Sequence, residues 1–201
     1  MKQIAGKQDG YTYGDESVEV SPVTMDELER LKVSVGFTDE DRQWLKAAGE
    51  VLADQVKAIV TRWRSEIIAS IPHLARHSRS LKGDKLPGYL AQSNLRFEQW
   101  ILDTCLREYD QEWLNYQHEI ALRHTSAKKN RTDGVESTAF VPYRDIAAFT
   151  AVLVETMKPY LAAKGHSEIE VEAMHRAWGR SLQLQIALWA QVYIASPGNE
   201  W

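Results

Sequence analysis

Six histidines (His73, His77, His118, His124, His166 and His175) and one cysteine leave few places for metal-binding or acid–base chemistry in this sequence. Tyr116, Ile120 and His124 recur at intervals of four, which sets them along one side of a helix with Trp113 on the same stripe. On spacing alone, an imidazole in such a place is more often a core histidine bonded to a backbone carbonyl. It can also be the single axial ligand of a haem, where an apolar wall keeps water from the iron. His73 and His77 are also four apart, an interval that can grip zinc from one helix face. No third ligand of fitting type stands near them and their segment is polar, so both read as surface residues. A glycine-rich phosphate loop, a nucleophile elbow, a paired-cysteine motif and a His-Glu-x-x-His helix are all missing. Hydrolase, kinase and dinucleotide-binding readings therefore have no support. Cys105 reads as a small buried residue.

The elements that must position these side chains are helical. Residues 1–23 are polar, carry Gly10 and Gly14 around Tyr11 and Tyr13, and end at Ser21-Pro22, as an extended arm lying against the body would. Thr24 with Glu27 has capping-box spacing and opens a short helix ending near Gly36; Ser167 with Glu170 repeats the device. Thr38 with Asp39, Glu40 and Asp41 makes an N-cap and an acidic first turn. From Thr38 to about Ser70, apolar residues step by three and four, predicting one long helix or two nearly collinear ones jointed at Gly49. Pro72 starts a short helix, and Ser78 to Gly88 reads as a loop. Tyr89, Leu90, Phe97, Trp100 and Ile101 stripe the next helix, and Trp113 to His124 the one after. A polar loop from Thr125 to about Val141 precedes helices over Tyr143 to Ala163, kinked or closed at Pro159, and Ser167 to Ile194. No segment alternates with period two. The unequal helix lengths predict an all-α, globin-like three-on-three helical sandwich with an extra N-terminal helix and the arm, rather than four matched rods.

Composition sets outer limits. A chain of 201 residues, 44% hydrophobic and 26% charged, fits one soluble domain, here 24–201 behind the 1–23 arm. A net charge of −4 offers no basic field for nucleic acid. No stretch reads as a run of roughly 20 apolar residues able to span a membrane, and the first ten residues lack the apolar core of a signal peptide, so a cytoplasmic location is expected. The one basic cluster, Arg123, Lys128, Lys129 and Arg131, reads as a solvated helix end before an anion-binding group. Ser181 to Ile194 is apolar on more than one face, as a central helix or a subunit contact would be.

Longer strings carry a resemblance: GYTYG from Gly10 to Gly14, AGEVLADQV ending at Val56, WILDT ending at Thr104 and YDQEWLNYQHEIALRH ending at His124. TMKPYLAAKGH ending at His166 and AWGRSLQLQIALW ending at Trp189 complete it. In these the chain resembles the protoglobins, single-domain globins related to globin-coupled sensors, over nearly its whole length. The resemblance implies haem b (iron protoporphyrin IX) held by His124. It places Trp63, Phe97 and Phe149 on the distal side, with Ile146 and Leu153 on the same helix as Phe149; Tyr116 and Ile120 join the pocket from the His124 stripe. Arg64 departs from the pattern, standing where protoglobins carry a tyrosine, and can point at a bound ligand, a haem propionate or solvent. The implied function is reversible binding of diatomic gases (O2, CO, NO) by a sensor, store or scavenger, in a homodimer built from the last two helices. The alternatives are a haem enzyme acting on nitric oxide, nitrite, peroxide or carbene donors, and a haem-free helical interaction module.

Overall fold

Thr24 begins the first helix with a reciprocal cap: its backbone N–H donates to the Glu27 carboxylate at 2.8 Å while its hydroxyl accepts the Glu27 N–H at 3.3 Å. In this computed structural model, which describes residues 8–194, helix α1 spans Met25–Val35 and ends at Gly36, held in the left-handed region at φ 68°. Helix α2 (Asp39–Leu52) opens with a second reciprocal cap between Thr38 and Asp41. Helix α3 (Val56–Thr61) runs on into a π-helical turn, Arg62–Ile67, and a 3₁₀ turn, Ile68–Ser70. Then follow α4 (Pro72–Ala75), α5 (Pro87–Leu106), α6 (Gln111–Leu122), α7 (Tyr143–Glu155), α8 (Lys158–Leu161) and α9 (Glu168–Ile194). No strand occurs among the described residues; Arg79 and Lys85 form one isolated bridge.

Two joints differ from expectation. The chain turns at 53–55 rather than at Gly49, which lies inside α2. A Cβ at Gly49 would come within 2.9 Å of the Cys105 Cβ, so this glycine serves close approach of α2 to α5, not a bend. The segment expected as one helix over Tyr143 to Ala163 breaks after Glu155, and Pro159 sits in the first turn of α8, where its missing N–H is not needed. Tyr143–Lys164 also corrects the membrane reading: with a mean hydropathy of 1.2 it is, by length and composition alone, apolar enough to cross a bilayer. A mean over an 18-residue window tolerates the polar residues that interrupt a continuous apolar run. The break at 156–157 and its contacts with α9, Tyr143 Oη to the Ile186 carbonyl and the Leu153 carbonyl to Trp178 Nε1, are those of a helix packed on a neighbour.

Helix α9 is the hub, contacted by α1, α2, α6, α7 and α8. That many-sided burial explains why its sequence is apolar on more than one face. Trp63, Trp113 and Trp178 are fully enclosed, and Cys105 is buried, its thiol pushed up to about 12 by desolvation. The described part of the arm lies on the body through a Tyr11–Tyr13–Tyr116 ring cluster. Tyr11 Oη donates to Asp103 at 2.8 Å, and Arg123 donates to the Gly10 carbonyl and to Thr12 Oγ1. Residues 1–7 of the expected arm and 195–201 of the expected domain lie outside the described residues.

Candidate functional site

The stripe on α6 and the inner faces of α5, α7 and α9 enclose a cavity of about 260 Å³. Its wall brings together Arg64, Phe97, Tyr116, Ile120, His124, Ile146, Phe149 and Leu153.

His124 stands just past the end of α6, where its backbone N–H closes on the Ala121 carbonyl. Its Nδ1 lies 2.8 Å from the Ile120 carbonyl, and a carbonyl can only accept, so Nδ1 carries the proton. Nε2 is left with a lone pair, and no hydrogen bond engages it among the described residues. The ring stacks on Trp189 at 5.6 Å, and Trp189 is itself tied by Nε1 to Gln117 at 3.0 Å. Burial depresses the imidazole to about 4, partly opposed by the Ile120 bond, so it is neutral near pH 7. Tautomer, orientation and charge state are thus all those of a potential metal ligand.

Trp63 is not on the cavity wall. It lies one layer back, fully buried, with its ring 5.1 Å from Phe97 and its indole N–H donated to Thr156 Oγ1 at 2.7 Å. The expected distal tryptophan therefore backs Phe97, which is itself braced by Trp100 at 5.5 Å. Trp63→Phe keeps the ring contact and loses the hydrogen bond, for an expected cost of about 1 kcal/mol and a melting temperature lower by roughly 2–4 °C. An unchanged thermal melt would show that the Thr156 bond contributes nothing.

Arg64 follows on the π-helical turn and faces the cavity. Its Nη2 donates to Ser93 Oγ at 2.8 Å, Nη1 reaches Ser78 Oγ at 3.5 Å, and its guanidinium carbon is 5.3 Å from the centre of the Phe97 ring. Two serine hydroxyls hold it on the cavity wall, the side from which a bound ligand or a haem propionate would meet it.

Two readings from sequence are overturned. His77 is buried, not a surface residue: it lies on the cavity wall with Nδ1 2.8 Å from Thr138 Oγ1 and Nε2 3.4 Å from Asp145, while His73 is exposed. The His77 segment is polar, but the loop at 137–138 folds over it, a contact that spans 60 residues of sequence. Of the basic cluster only Arg131 is exposed as a solvated helix end would be; the other three are not. Arg123 and Lys128 pair with Glu119, whose carboxyl they hold below its usual range against the opposing effect of burial. Lys129 is 6% exposed and lines the cavity, with only Asn130 Oδ1 near its ammonium, at 3.5 Å. Burial lowers it to about 8. The sequence reading set Lys129 in a solvated cluster, with an anion-binding role second, because enclosure by a distant segment leaves no local pattern. It also passed over Ser93, although Ser93 precedes Phe97 by four residues and so shares its helix face.

A family model described as Protoglobin matches residues 24–197. No curated protein matches the chain. The match covers α1 through the end of α9 and nearly the whole chain, and the architecture beneath it is all-helical and globin-like. The chain belongs to the protoglobins, globin-type proteins that bind haem and, through it, gases.

Proposed function

We propose that this protein reversibly binds O2, CO and NO at the iron of haem b, with His124 as the proximal ligand. The observation that carries the reading is the state of His124: neutral, with Nδ1 committed to the Ile120 carbonyl and the Nε2 lone pair free at an apolar cavity. The wall fits such a cofactor in its ends as well as its middle. Phe97, Phe149, Ile120, Ile146 and Leu153 suit a flat apolar ring, and the Lys129 ammonium, with no carboxylate partner among the described residues, suits a propionate. Bound haem supplies the iron at which a diatomic gas coordinates. The protein's part is to orient the imidazole through Ile120 and Trp189, to exclude water with the aromatic wall, and to limit by volume what else can enter.

The test is the absorption spectrum of the purified protein in its ferric, dithionite-reduced and CO-bound forms. A Soret band with the ferrous-CO spectrum of a histidine-ligated haem is expected. A protein that takes up no haem on reconstitution would end this reading and leave a helical interaction module. Steady turnover of nitric oxide, nitrite, peroxide or a carbene donor above that of free haem would instead make it an enzyme.

Lys129 gives a prediction of opposite sign in two states. Its folded pKa, about 8, lies below its ordinary 10.5, so charging it costs the folded protein. Below pH 8 both folded and unfolded chains carry the proton and the penalty is complete; it fades as pH rises from 8 to 10.5. Lys129→Met is therefore expected to stabilise the haem-free protein at pH 7, to flatten its stability between pH 8 and 10.5, and to weaken haem retention. Denaturant melts of the haem-free form and haem transfer to an acceptor globin measure the two effects; a variant that retains haem as the parent does would remove Lys129 from the site.

The proposal extends to a homodimer through the last two helices and to a role as a cytoplasmic gas sensor, store or scavenger. Support for the dimer lies in the apolar window within Tyr143–Lys164, only 17% of which is buried in the single chain, beside an Ile169 that is 81% exposed.

A further inference from the structure

Besides Lys129, the cavity wall carries a second cation with no carboxylate partner among the described residues, Arg64; Arg96 and Arg123 on the same wall are paired with Asp133 and Glu119. Arg64 has five N–H donors, and the described residues accept two of them, one at the long distance of 3.5 Å. Its Nε is enclosed with no partner, and no carboxylate lies within ion-pair distance among the described residues. A guanidinium keeps its proton even where burial lowers its pKa, as it does here, so the charge stays, and this partly exposed side chain can take an anionic partner from the cavity. Phe97 offers its ring face at 5.3 Å, which compensates weakly, and Ser78 and Ser93 offer neutral hydroxyls. All four residues line one cavity, so the compensating group has room to arrive from that side. Lys129 is a separate cation on the same wall.

We propose that Arg64, with the hydroxyls of Ser78 and Ser93, forms a binding site inside the cavity for a small planar oxyanion, of the size and charge of nitrite or formate. A guanidinium offers parallel N–H donors to two oxygens of such an anion, and both serine hydroxyls can rotate to donate as well. Phe97 and Phe149 line the same cavity. The site rests on the haem-binding reading, because the anion shares the cavity with the cofactor.

The experiment titrates sodium nitrite and, separately, sodium formate into the ferric haem-loaded protein, following the absorption spectrum, for the parent, Arg64→Met and Arg64→Lys. Carbon monoxide affinity of the reduced forms serves as a neutral control that also reports an intact pocket. The expected result is a Kd for both anions raised about tenfold or more in Arg64→Met. Arg64→Lys, which keeps the charge and loses the planar fork, should fall between. Carbon monoxide affinity should change much less. Anion affinities equal in parent and Arg64→Met would overturn the proposal, as would equal weakening of anion and carbon monoxide binding. If Arg64→Met instead loses haem to an acceptor globin faster while its anion affinity holds, a propionate is the partner of Arg64 and the proposal fails. A parent protein that takes up no haem would overturn the haem-binding reading and this proposal together, whereas the preceding results overturn the proposal alone.

Discussion

His124→Ala is expected to lose the ordinary histidine-ligated ferrous-CO spectrum and to weaken haem retention by more than about 100-fold, since even partners that only orient a metal-binding histidine are worth about 10–100-fold. Little else on the cavity wall can replace the proposed ligand. Cys105 is buried as a thiol and is not on the cavity wall. His77, the other histidine on the wall, already has Thr138 and Asp145 at its two nitrogens. Removing the imidazole also leaves a space beside Trp189, so free imidazole added to His124→Ala should restore the spectrum. A variant that keeps the parent's ferrous-CO spectrum without added imidazole would remove His124 as the ligand. The Ile120 carbonyl loses its side-chain partner too, but it belongs to α6 and this cost is small beside the loss of the proposed metal bond.

The second large effect is on stability. Trp178→Ala is expected to cost about 3–5 kcal/mol and to lower the melting temperature by roughly 10 °C or more. Trp178 is fully enclosed on α9, meets Trp100 edge-on at 5.8 Å, and donates its indole N–H to the Leu153 carbonyl at 3.0 Å. Alanine therefore opens a cavity at the hub and leaves a carbonyl of α7 with one partner fewer. Trp113 is the informative comparison. It is as deeply buried and stacks on Tyr109 at 3.9 Å, yet its Nε1 has no acceptor. Trp113→Phe removes an unsatisfied donor together with some apolar area, whereas Trp178→Phe gives up a bond. Thermal melts of the two phenylalanine variants should rank Trp178→Phe as the more destabilised, and the reverse order would mean that ring volume outweighs the hydrogen bond.

Because Trp178 contacts Trp100, Trp100 contacts Trp189, and the last two line the cavity, these stability effects reach the site. Trp189 presents His124, and Trp100 backs Phe97. A loosened hub would therefore be felt first as poorer orientation of the imidazole and of the apolar wall.

Much of this was legible locally. The caps at Thr24 and Thr38, the stop at Gly36, the start at Pro72 and the helices from Tyr89 to His124 all follow from rules that act within one or two turns, and the structure has them. The four-residue spacing of Tyr116, Ile120 and His124 turned these residues toward one cavity for the same reason: helix geometry makes that relation periodic. That this histidine can be a ligand was legible only as one of two readings, and the longer strings of resemblance favoured it.

What the chain alone determined, then, is the helices, their apolar faces and the membership of His124 in an inward stripe, because each depends on contacts between near neighbours. Tertiary structure alone decided which side chains the cavity encloses. It set Trp63 behind Phe97, bent the chain at 53–55, buried His77 beneath the 137–138 loop, and left Lys129 and Arg64 as cations without carboxylates. Enclosure of a charge depends on segments tens of residues away, and no spacing within its own helix records whether a partner will be there to meet it.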